Sequence, residues 1–164
     1  MKPGYPSVGE TRYATPFAVL GITTDGRVVT GVRYLPRSTQ QVVPHDRVAE
    51  RACREIERYL ADPGYRFALP YRLEGTSFQQ RVWREIEKLF PLKTITYGNI
   101  AQRLGSAARA VGSACGANPV PLIVPCHRVL AAGGLGGFMG GREDFPLRIK
   151  RWLLRHEGLS GATH

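Results

Sequence analysis

The chain has 164 residues, 43% of them hydrophobic, and its 23 Lys and Arg against 13 Asp and Glu give a formal net charge of +10. This length and hydrophobic content predict one domain, or two small ones, with a buried core, and argue against intrinsic disorder. No run approaches the roughly 20 apolar residues that a membrane span needs, and the N-terminal residues lack the apolar core of a signal peptide. We therefore expect a cytoplasmic protein that binds no membrane.

Cysteine content and charge distribution narrow the class of protein further. Cys53, Cys115 and Cys126 are too few for a disulfide framework and form no zinc-ligand pattern, so we predict free thiols and no metal. No Asp or Glu occurs from Lys88 to Arg142, the acid-free stretch, which contains six Lys and Arg. A surface built from this stretch would be positive and predicts a polyanionic partner such as nucleic acid.

The first third of the chain predicts a small β-sheet backed by one helix. Two β-type runs, residues 17–22 and 28–35, flank Asp25-Gly26, and this dipeptide is a strong hairpin signal. Asp46 is a predicted N-cap for a helix that ends before Pro63. The apolar residues of that helix recur at helical spacing, at positions 48, 52, 56, 59 and 60.

A linker around residues 70–75 precedes a helical pattern. Ser77 is the predicted N-cap of the first helix, with Gln80 as its capping-box partner, and Pro91 stops the helix. The segment after residue 75 therefore predicts a mainly helical second domain.

Two short helices with a tight turn between them predict a helix-turn-helix. Thr96 caps the first, over residues 97–104, and Gly105 ends it, whereas Ser106 opens the second, which runs to about Gly116. The predicted fold class is α+β, with a small N-terminal sheet-plus-helix domain followed by a mainly helical domain that carries the helix-turn-helix and a cysteine-containing loop.

The second helix of the pair consists almost entirely of small side chains around Arg109. Such a helix packs tightly in a core, or it approaches another molecule closely. Its position in the acid-free stretch favours the second interpretation, a helix laid against DNA phosphates.

Cys126 and His127 follow a segment with three prolines in seven positions, residues 119–125, which predicts a stiff, extended, buried approach. A Gly-rich loop, residues 133–141, comes next, and a final helix is predicted from about Pro146 to Glu157. The sequence therefore places a thiol and an imidazole at the end of this apolar segment.

A thiol with a pKa of about 8.5 needs a base to become a nucleophile at neutral pH, and His127 is the candidate, directly or through a water. A carboxylate that orients the imidazole would complete the relay, and the spacing leaves Glu143, Asp144 and Glu157 open. The alternative is a buried thiol beside a histidine that is hydrogen-bonded in the core.

The residues around this dipeptide resemble a known active-site signature. Pro125-Cys126-His127-Arg128-Val129, preceded by Asn118-Pro119-Val120-Pro121, is similar to that of the O6-alkylguanine-DNA alkyltransferases, or methylated-DNA–protein-cysteine methyltransferases. The resemblance covers about half the chain and includes residues 76–79, 82–83, 96–101, 107–112, 140–141, 150 and 152–158.

This resemblance implies a direct-reversal DNA repair enzyme with two domains. Residues 1–74 would form an N-terminal α/β, ribonuclease H-like domain, and residues 75–164 the helix-turn-helix DNA-binding and alkyltransferase domain. Cys126 would take the alkyl group from O6-alkylguanine in duplex DNA, once and irreversibly, after the damaged base is flipped out. Activity on O4-alkylthymine stays open.

The resemblance also implies a role for each residue of the relay. His127 would accept the thiol proton through a water, and Glu157 would orient its ring. Asn118 would brace the turn that carries Cys126 against the helix-turn-helix. Tyr97 would help to turn out the nucleotide and would protonate the departing guanine.

Further residues would contact the DNA and the flipped base. Arg109 would enter the duplex where the nucleotide has left, and the other expected DNA contacts are Tyr97, Ala107, Ala108, Ala110, Gly112 and Arg128. The pocket would be lined by Cys126, Val129, Phe138 and Met139, the last through its backbone. No cofactor is implied, and the partner is DNA bound by a monomer through the minor groove, with cooperative binding left open.

The chain departs from the family pattern at two places, the segment after Gly141 and Met139, where Ser or Gly is more familiar, and two other function classes are alternatives. The segment of eight residues between Gly141 and Lys150 is longer than is familiar, which leaves its contacts open. A non-catalytic lesion-binding protein is the main alternative, although such proteins replace the reactive cysteine. A helix-turn-helix transcription regulator is the other. Cys53 and Cys115 are interpreted as packed thiols.

Overall fold

The computed structural model describes residues 9–89, 91–138 and 144–159, and it confirms the α+β fold class. The chain divides into two compact units, Met1–Leu73 and Glu74–His164. Among the described residues, no helix combines the length and the apolar character that crossing a membrane would require.

The first unit is a three-stranded antiparallel sheet that packs against one helix. Its strands β1 (Glu10–Ala14), β2 (Val19–Thr24) and β3 (Val29–Leu35) pair in chain order, and α1 (Arg47–Ala61) packs on β2 and β3. The sequence pattern did not indicate β1, because its buried residue is a threonine, Thr11, rather than an apolar side chain.

The predicted hairpin turn and helix cap of this unit are confirmed. The Asp25 carboxylate accepts two backbone N–H groups of the turn at 2.8 and 2.9 Å, and Gly26 has a φ of 91° that favours glycine. Asp46 accepts the N–H of Ala49 at 2.7 Å and so caps α1. The buried apolar residues of α1 are Ala49, Ala52, Cys53, Ile56 and Tyr59.

The second unit is mainly helical. It contains α2 (Ser77–Glu87), β4 (Ile95–Thr96), α3 (Tyr97–Leu104), α4 (Ala108–Gly116), a 3₁₀ turn (Cys126–Arg128), β5 (Val129–Leu130) and α5 (Asp144–His156). Trp83 of α2 is fully buried, and its Nε1–H donates to the carbonyl of Ala114 in α4 at 2.8 Å. This bond ties α2 to the second helix of the pair.

A short parallel pairing brings two distant segments together. β4 pairs with β5, with Ile95 opposite Val129. No sequence pattern predicted this pairing, because two residues are too few to show the alternation of a strand. The pairing places the start of α3, which carries Tyr97, beside the segment that carries Cys126.

The helix-turn-helix forms as predicted, with small shifts at some helix ends. Thr96 accepts the N–H of Asn99 at 3.0 Å, and Gly105 ends α3 with a φ of 64°. The second helix has Ala107 at its N-cap, with no side-chain bond, where Ser106 was predicted.

Two other helix starts differ from the prediction. The capping box of α2 uses Thr76 and Gln79, one residue before the predicted pair. Thr76-Gln79 and Ser77-Gln80 both fit the capping-box spacing, so the sequence alone leaves two registers open. The final helix begins at Asp144 rather than at Pro146.

Candidate active site

Cys126 lies in a compact turn, residues 120–128, which we call the Cys126 turn. Leu122 has a φ of 75°, and the N–H of Val124 donates to the carbonyl of Val120 at 3.0 Å, so the chain reverses here. The predicted extended approach was wrong, because proline fixes its own φ near −65°, a value that suits turns as well as extended chain. The Cys126 side chain is buried at the start of the 3₁₀ turn.

Asn118 holds the Cys126 turn on both sides. Its Nδ2–H donates to the carbonyl of Val124 at 2.9 Å, and its Oδ1 accepts the N–H of Val120 at 3.0 Å. Its own N–H donates to the carbonyl of Cys115, in the last turn of α4, at 3.2 Å. These bonds join the helix-turn-helix to the Cys126 turn, as the predicted bracing role requires.

The surroundings of the Cys126 thiol act on its pKa in opposite directions. Burial raises the pKa, whereas a hydrogen bond from Asn118 and the charge of Lys150 lower it, and the net effect is a raised value. The thiol therefore keeps its proton at neutral pH until a base removes it.

His127 and Glu157 form a buried pair. Of the three carboxylates that the spacing left open, the structure places Glu157 on His127, with Nε2 and Oε2 2.6 Å apart and both side chains fully buried. Burial lowers the pKa of His127, although Glu157 raises it. Burial also raises the pKa of Glu157, but the charges and hydrogen bonds of His127 and Arg128 outweigh this and bring it to about 2.

These pKa values define the protonation of the pair. Glu157 is an ionised acceptor, so the neutral imidazole of His127 donates its Nε2–H to it. The lone pair then lies on Nδ1, which has no hydrogen-bond partner among the described residues. A buried imidazole nitrogen with an unused lone pair is a base within the Cys126 turn.

Arg128 belongs to the same buried network. Its Nε–H donates to Oε1 of Glu157 at 2.7 Å, and its side chain is only 8% exposed. A DNA contact by Arg128 stays a prediction, and the structure places this side chain in the interior instead of on the surface. An arginine in the acid-free stretch was expected at the surface, but its counter-charge lies 29 residues further along the chain, outside that stretch.

A buried lysine faces the site from α5. The Nζ of Lys150 donates to the carbonyls of Val129 and Gly137 at 2.8 Å each and to the Tyr97 hydroxyl at 3.4 Å. It also lies 5.6 Å from the ring centroid of Tyr97 and 5.9 Å from that of Phe138. Burial lowers the pKa of Lys150 to about 8. The side chain thus joins the residues predicted for the pocket.

No role was predicted for Lys150, although its position on an apolar helix face is a signal in the sequence. Lys150 lies beside Ile149 and at helical spacing from Leu153 and Leu154, and all of these side chains are buried. A lysine on the apolar face of a helix is a departure from the usual pattern and is a candidate for a site.

The Gly-rich loop packs directly on Tyr97. The hydroxyl of Tyr97 donates to the carbonyl of Gly137 at 3.1 Å. Gly136 has a φ of 74°, and a Cβ there would lie 2.8 Å from the Tyr97 ring and 3.2 Å from the backbone nitrogen of Ala131. Only glycine fits this position, because any other residue would have a strained backbone at this φ and its Cβ would collide with these atoms.

The other predicted pocket residues are placed as follows. Val129 and Phe138 are buried, and Met139 lies outside the described residues. The carbonyls expected to read the guanine edge each accept one hydrogen bond already, that of Cys126 from the N–H of Val129 and that of Val129 from Lys150. Each carbonyl keeps a second lone pair.

The α4 helix has one buried and one open face. Val111, Ala114 and Cys115 are buried, whereas Ala107, Ala108 and Arg109 are exposed, and Ala110 and Gly112 are half-buried. The buried face confirms tight packing of this small-residue helix, whereas contact of its open face with DNA stays a prediction. The surface is less positive than the acid-free stretch suggested, because Glu85 forms ion pairs with Lys88 and Arg103.

A buried thiol next to a buried imidazole–carboxylate pair, in a unit that also contains a helix-turn-helix, is the arrangement expected of a DNA-binding protein that reacts through cysteine. Residues 77–159 match the family model described as 6-O-methylguanine DNA methyltransferase, DNA binding domain. The methylated-DNA–protein-cysteine methyltransferase of Metallosphaera sedula is 31% identical over 147 residues, which are 89% of this chain and 90% of that one. The one from Mycobacterium tuberculosis is 38% identical over 150 residues, 87% and 88% of the two chains.

Solved structures give the same result. The O6-methylguanine methyltransferase of M. tuberculosis superposes with a TM-score of 0.75 and 34% identity, over 93% of each chain. A structure of M. tuberculosis OGT in complex with DNA has a TM-score of 0.74 and 34% identity, over 93% of this chain and 92% of that one. The chain belongs to the methylated-DNA–protein-cysteine methyltransferase family, which confirms the predicted family and enzyme class.

Proposed function

We propose that this protein repairs O6-alkylguanine in duplex DNA by one irreversible transfer of the alkyl group to Cys126. The observation that carries this proposal concerns Nδ1 of buried His127. No described residue forms a hydrogen bond with this nitrogen. Because Nε2 donates its proton to ionised Glu157, the lone pair of the imidazole lies on Nδ1. Burial raises the pKa of the Cys126 thiol, so the thiol needs such a base. A family that moves methyl groups from DNA to cysteine requires this arrangement at one cysteine.

The reaction is an in-line displacement at the alkyl carbon. The thiol proton passes to Nδ1 of His127 through a bridging water, and Sγ of Cys126 forms a bond to the alkyl carbon. The bond from that carbon to guanine O6 breaks, and its electron pair leaves with the oxygen. The purine takes a proton from the Tyr97 hydroxyl, which is replenished from solvent.

The surroundings of Tyr97 favour this proton donation. Lys150 Nζ lies 3.4 Å from the phenolic oxygen, so its positive charge stabilises the tyrosinate that forms. In the free protein the Tyr97 hydroxyl donates a hydrogen bond to the carbonyl of Gly137, so the O–H bond has to rotate toward the purine before the proton is transferred.

The damaged base has to leave the duplex, because a buried thiol cannot reach O6 within the base stack. Phe138 would form an apolar wall of the pocket, and the loop at Gly136 would lie flush against the base. The carbonyls of Cys126 and Val129 would accept from the guanine edge with their second lone pairs. A contact from the backbone of Met139 stays a prediction.

The open face of α4 suits the minor groove. Its small side chains, from Ala107 to Gly112, let the backbone approach closely, and the first-turn N–H groups have no side-chain cap and can bind a phosphate. Arg109 would enter the duplex beside the flipped nucleotide. We assign DNA binding and transfer to residues 75–164, and the ribonuclease H-like character of residues 1–74 stays a prediction.

Arg109→Ala tests this surface. We expect about tenfold weaker binding to lesion-containing duplex, with slower transfer, and a steep loss of parent affinity as salt rises. Arg27→Ala, which removes an exposed arginine from the β2–β3 turn, is the control and should bind as the parent does. Equal affinity in Arg109→Ala and the parent, or a flat salt response, would contradict this assignment.

The transfer itself is tested by mass. The protein is incubated with duplex DNA that contains O6-methylguanine, and we expect one methyl group on the peptide that carries Cys126. Tight lesion binding without added mass would indicate the non-catalytic lesion-binding class instead. Strong sequence preference on undamaged DNA would indicate a transcription regulator. A duplex with O4-methylthymine, treated in the same way, gives the substrate range.

A further inference from the structure

Glu157 has two buried partners that compete to balance its charge. Arg128 donates to Oε1 at 2.7 Å, and His127 lies at 2.6 Å from Oε2. The side chains of Glu157 and His127 are fully buried, and that of Arg128 is 8% exposed. The transfer mechanism above uses His127 and Glu157 but gives Arg128 no task.

The charges decide which partner is the cation. One buried carboxylate balances one positive charge, and a second cation beside it would be uncompensated in a dry site. Arginine keeps its proton at every pH at which proteins fold, whereas imidazole loses its proton near neutrality. Arg128 is therefore the counter-ion of Glu157, and His127 is free to be neutral.

We propose that Arg128 is a positioning residue that acts through Glu157 to keep His127 neutral and therefore able to take the proton of Cys126. By engaging Oε1, Arg128 leaves Oε2 to accept the Nε2–H of His127, which keeps the imidazole lone pair on Nδ1. This inference rests on the proposed function, since it assumes that His127 serves Cys126.

The other charges around His127 support the same arrangement. Besides Glu157 and Arg128, the charged group that acts on it is Lys150 from α5, which also disfavours a proton on the imidazole. Without Arg128, His127 would balance a larger share of the Glu157 charge, so the pKa of His127 would rise and the imidazole would keep its proton to a higher pH. An imidazolium has no lone pair for the thiol proton, so transfer would begin only at that higher pH.

Nitrogen-15 NMR of labelled histidine tests the proposal on the full chain. His127→Gln assigns the signal among the four histidines of the sequence. In the parent, we expect a neutral His127 with its proton on Nε2 from about pH 6 to about pH 8. Arg128→Met removes the charge and keeps the length of the side chain, and it should raise the pKa of His127 by about one unit or more. Arg128→Lys keeps the charge and should leave His127 as in the parent.

An unchanged or lower pKa of His127 in Arg128→Met would overturn the proposal. If Met at this position prevents folding, Arg128→Gln, which can still hydrogen-bond Glu157 but carries no charge, should give the same rise, and its absence has the same meaning. Arg27→Ala is the control for loss of an arginine elsewhere.

The pH profile of methyl transfer separates this role from a merely structural one. Arg128→Met should transfer more slowly than the parent at pH values below the raised pKa of His127, by about tenfold for each pH unit below it, and approach the parent rate at higher pH, where His127 is again neutral. A rate that is lower by the same factor at every pH would show a packing role only and would overturn the proposal. If the parent gives the expected NMR signals but adds no methyl to Cys126, the proposed function fails while the charge assignment stands.

Discussion

Cys53 on α1 and Cys126 in its turn are both buried free thiols, one in each unit, and they differ in their neighbours. Burial raises the pKa of the Cys53 thiol, and the carboxylates of Glu57 and Glu50 raise it further, to about 11. Burial also raises the pKa of Cys126, but Asn118 donates a hydrogen bond to it and Lys150 places a positive charge nearby.

The comparison indicates that burial, which raises the pKa of both thiols, disfavours the reactive thiolate. What turns a buried thiol into a nucleophile is a donor and a cation that favour the thiolate, with a base that takes the proton. Asn118 and Lys150 are the donor and the cation at Cys126 and His127 is the base that we propose, whereas the charged neighbours of Cys53 are mostly carboxylates.

The largest expected effect separates the two thiols completely. Cys126→Ser should abolish methyl transfer from O6-methylguanine DNA and keep lesion binding, because only the nucleophile is lost. Cys53→Ser should transfer as the parent does. Intact-protein mass measures transfer and a DNA-binding titration measures lesion binding. A methyl adduct on Cys126→Ser would show that another residue accepts the methyl group and would contradict the difference between the two thiols.

Removal of the base should have the next largest effect. His127→Gln should slow transfer by about 10²- to 10⁴-fold, the usual contribution of a general base. His45→Gln, in the first unit, removes a histidine outside the site and should leave the rate unchanged. Single-turnover transfer rates provide the measurement, and a loss of less than a few-fold would mean that Cys126 uses another base.

Loss of the buried cation should have a smaller, pH-dependent effect. Lys150→Met should raise the pKa of the Cys126 thiol and slow its reaction with iodoacetamide about tenfold near pH 7, since one pKa unit changes the thiolate fraction tenfold. Because burial lowers the pKa of Lys150 to about 8, the parent also loses this charge above about pH 8. The difference between the two proteins should therefore shrink as the pH rises through 8.

A matched variant controls for the loss of a lysine. Lys93→Met removes an exposed lysine from the same unit and should change nothing. Peptide mass after timed alkylation follows Cys126 separately from the other thiols. A rate ratio that stays constant across pH would show that Lys150 acts through packing and not through its charge.

The smallest effect is expected at the inert thiol. Glu57→Gln removes one of the carboxylates that raise the pKa of Cys53, so iodoacetamide should modify Cys53 up to a few-fold faster. Glu57 is exposed, and solvent screens its charge, which keeps the change small. Cys126 in the same sample is the internal control. A large gain in reactivity would mean that charge, and not burial, keeps Cys53 inert.

Local signals in the sequence predicted much of the fold. Turns and helix caps could be predicted because their hydrogen bonds join residues that are close in sequence. Such local bonds form at Asp25-Gly26, Asp46, Thr96 and Gly105, each within four residues along the chain. Residues whose structure depends on distant partners were missed or misplaced. β1 and the β4–β5 pair have no pattern of their own, and the prolines before Cys126 allowed an extended segment that the structure folds into a turn.

The sequence by itself determined the family, through the string around Cys126 and His127, and it named most of the residues that meet at the site, with Lys150 as the exception. Tertiary structure decided which charges are buried together. Arg128 reaches Glu157 across 29 residues, and Lys150 reaches Tyr97 across 53. Charge–charge energies depend on distance and burial in space, which the order of residues along the chain does not record.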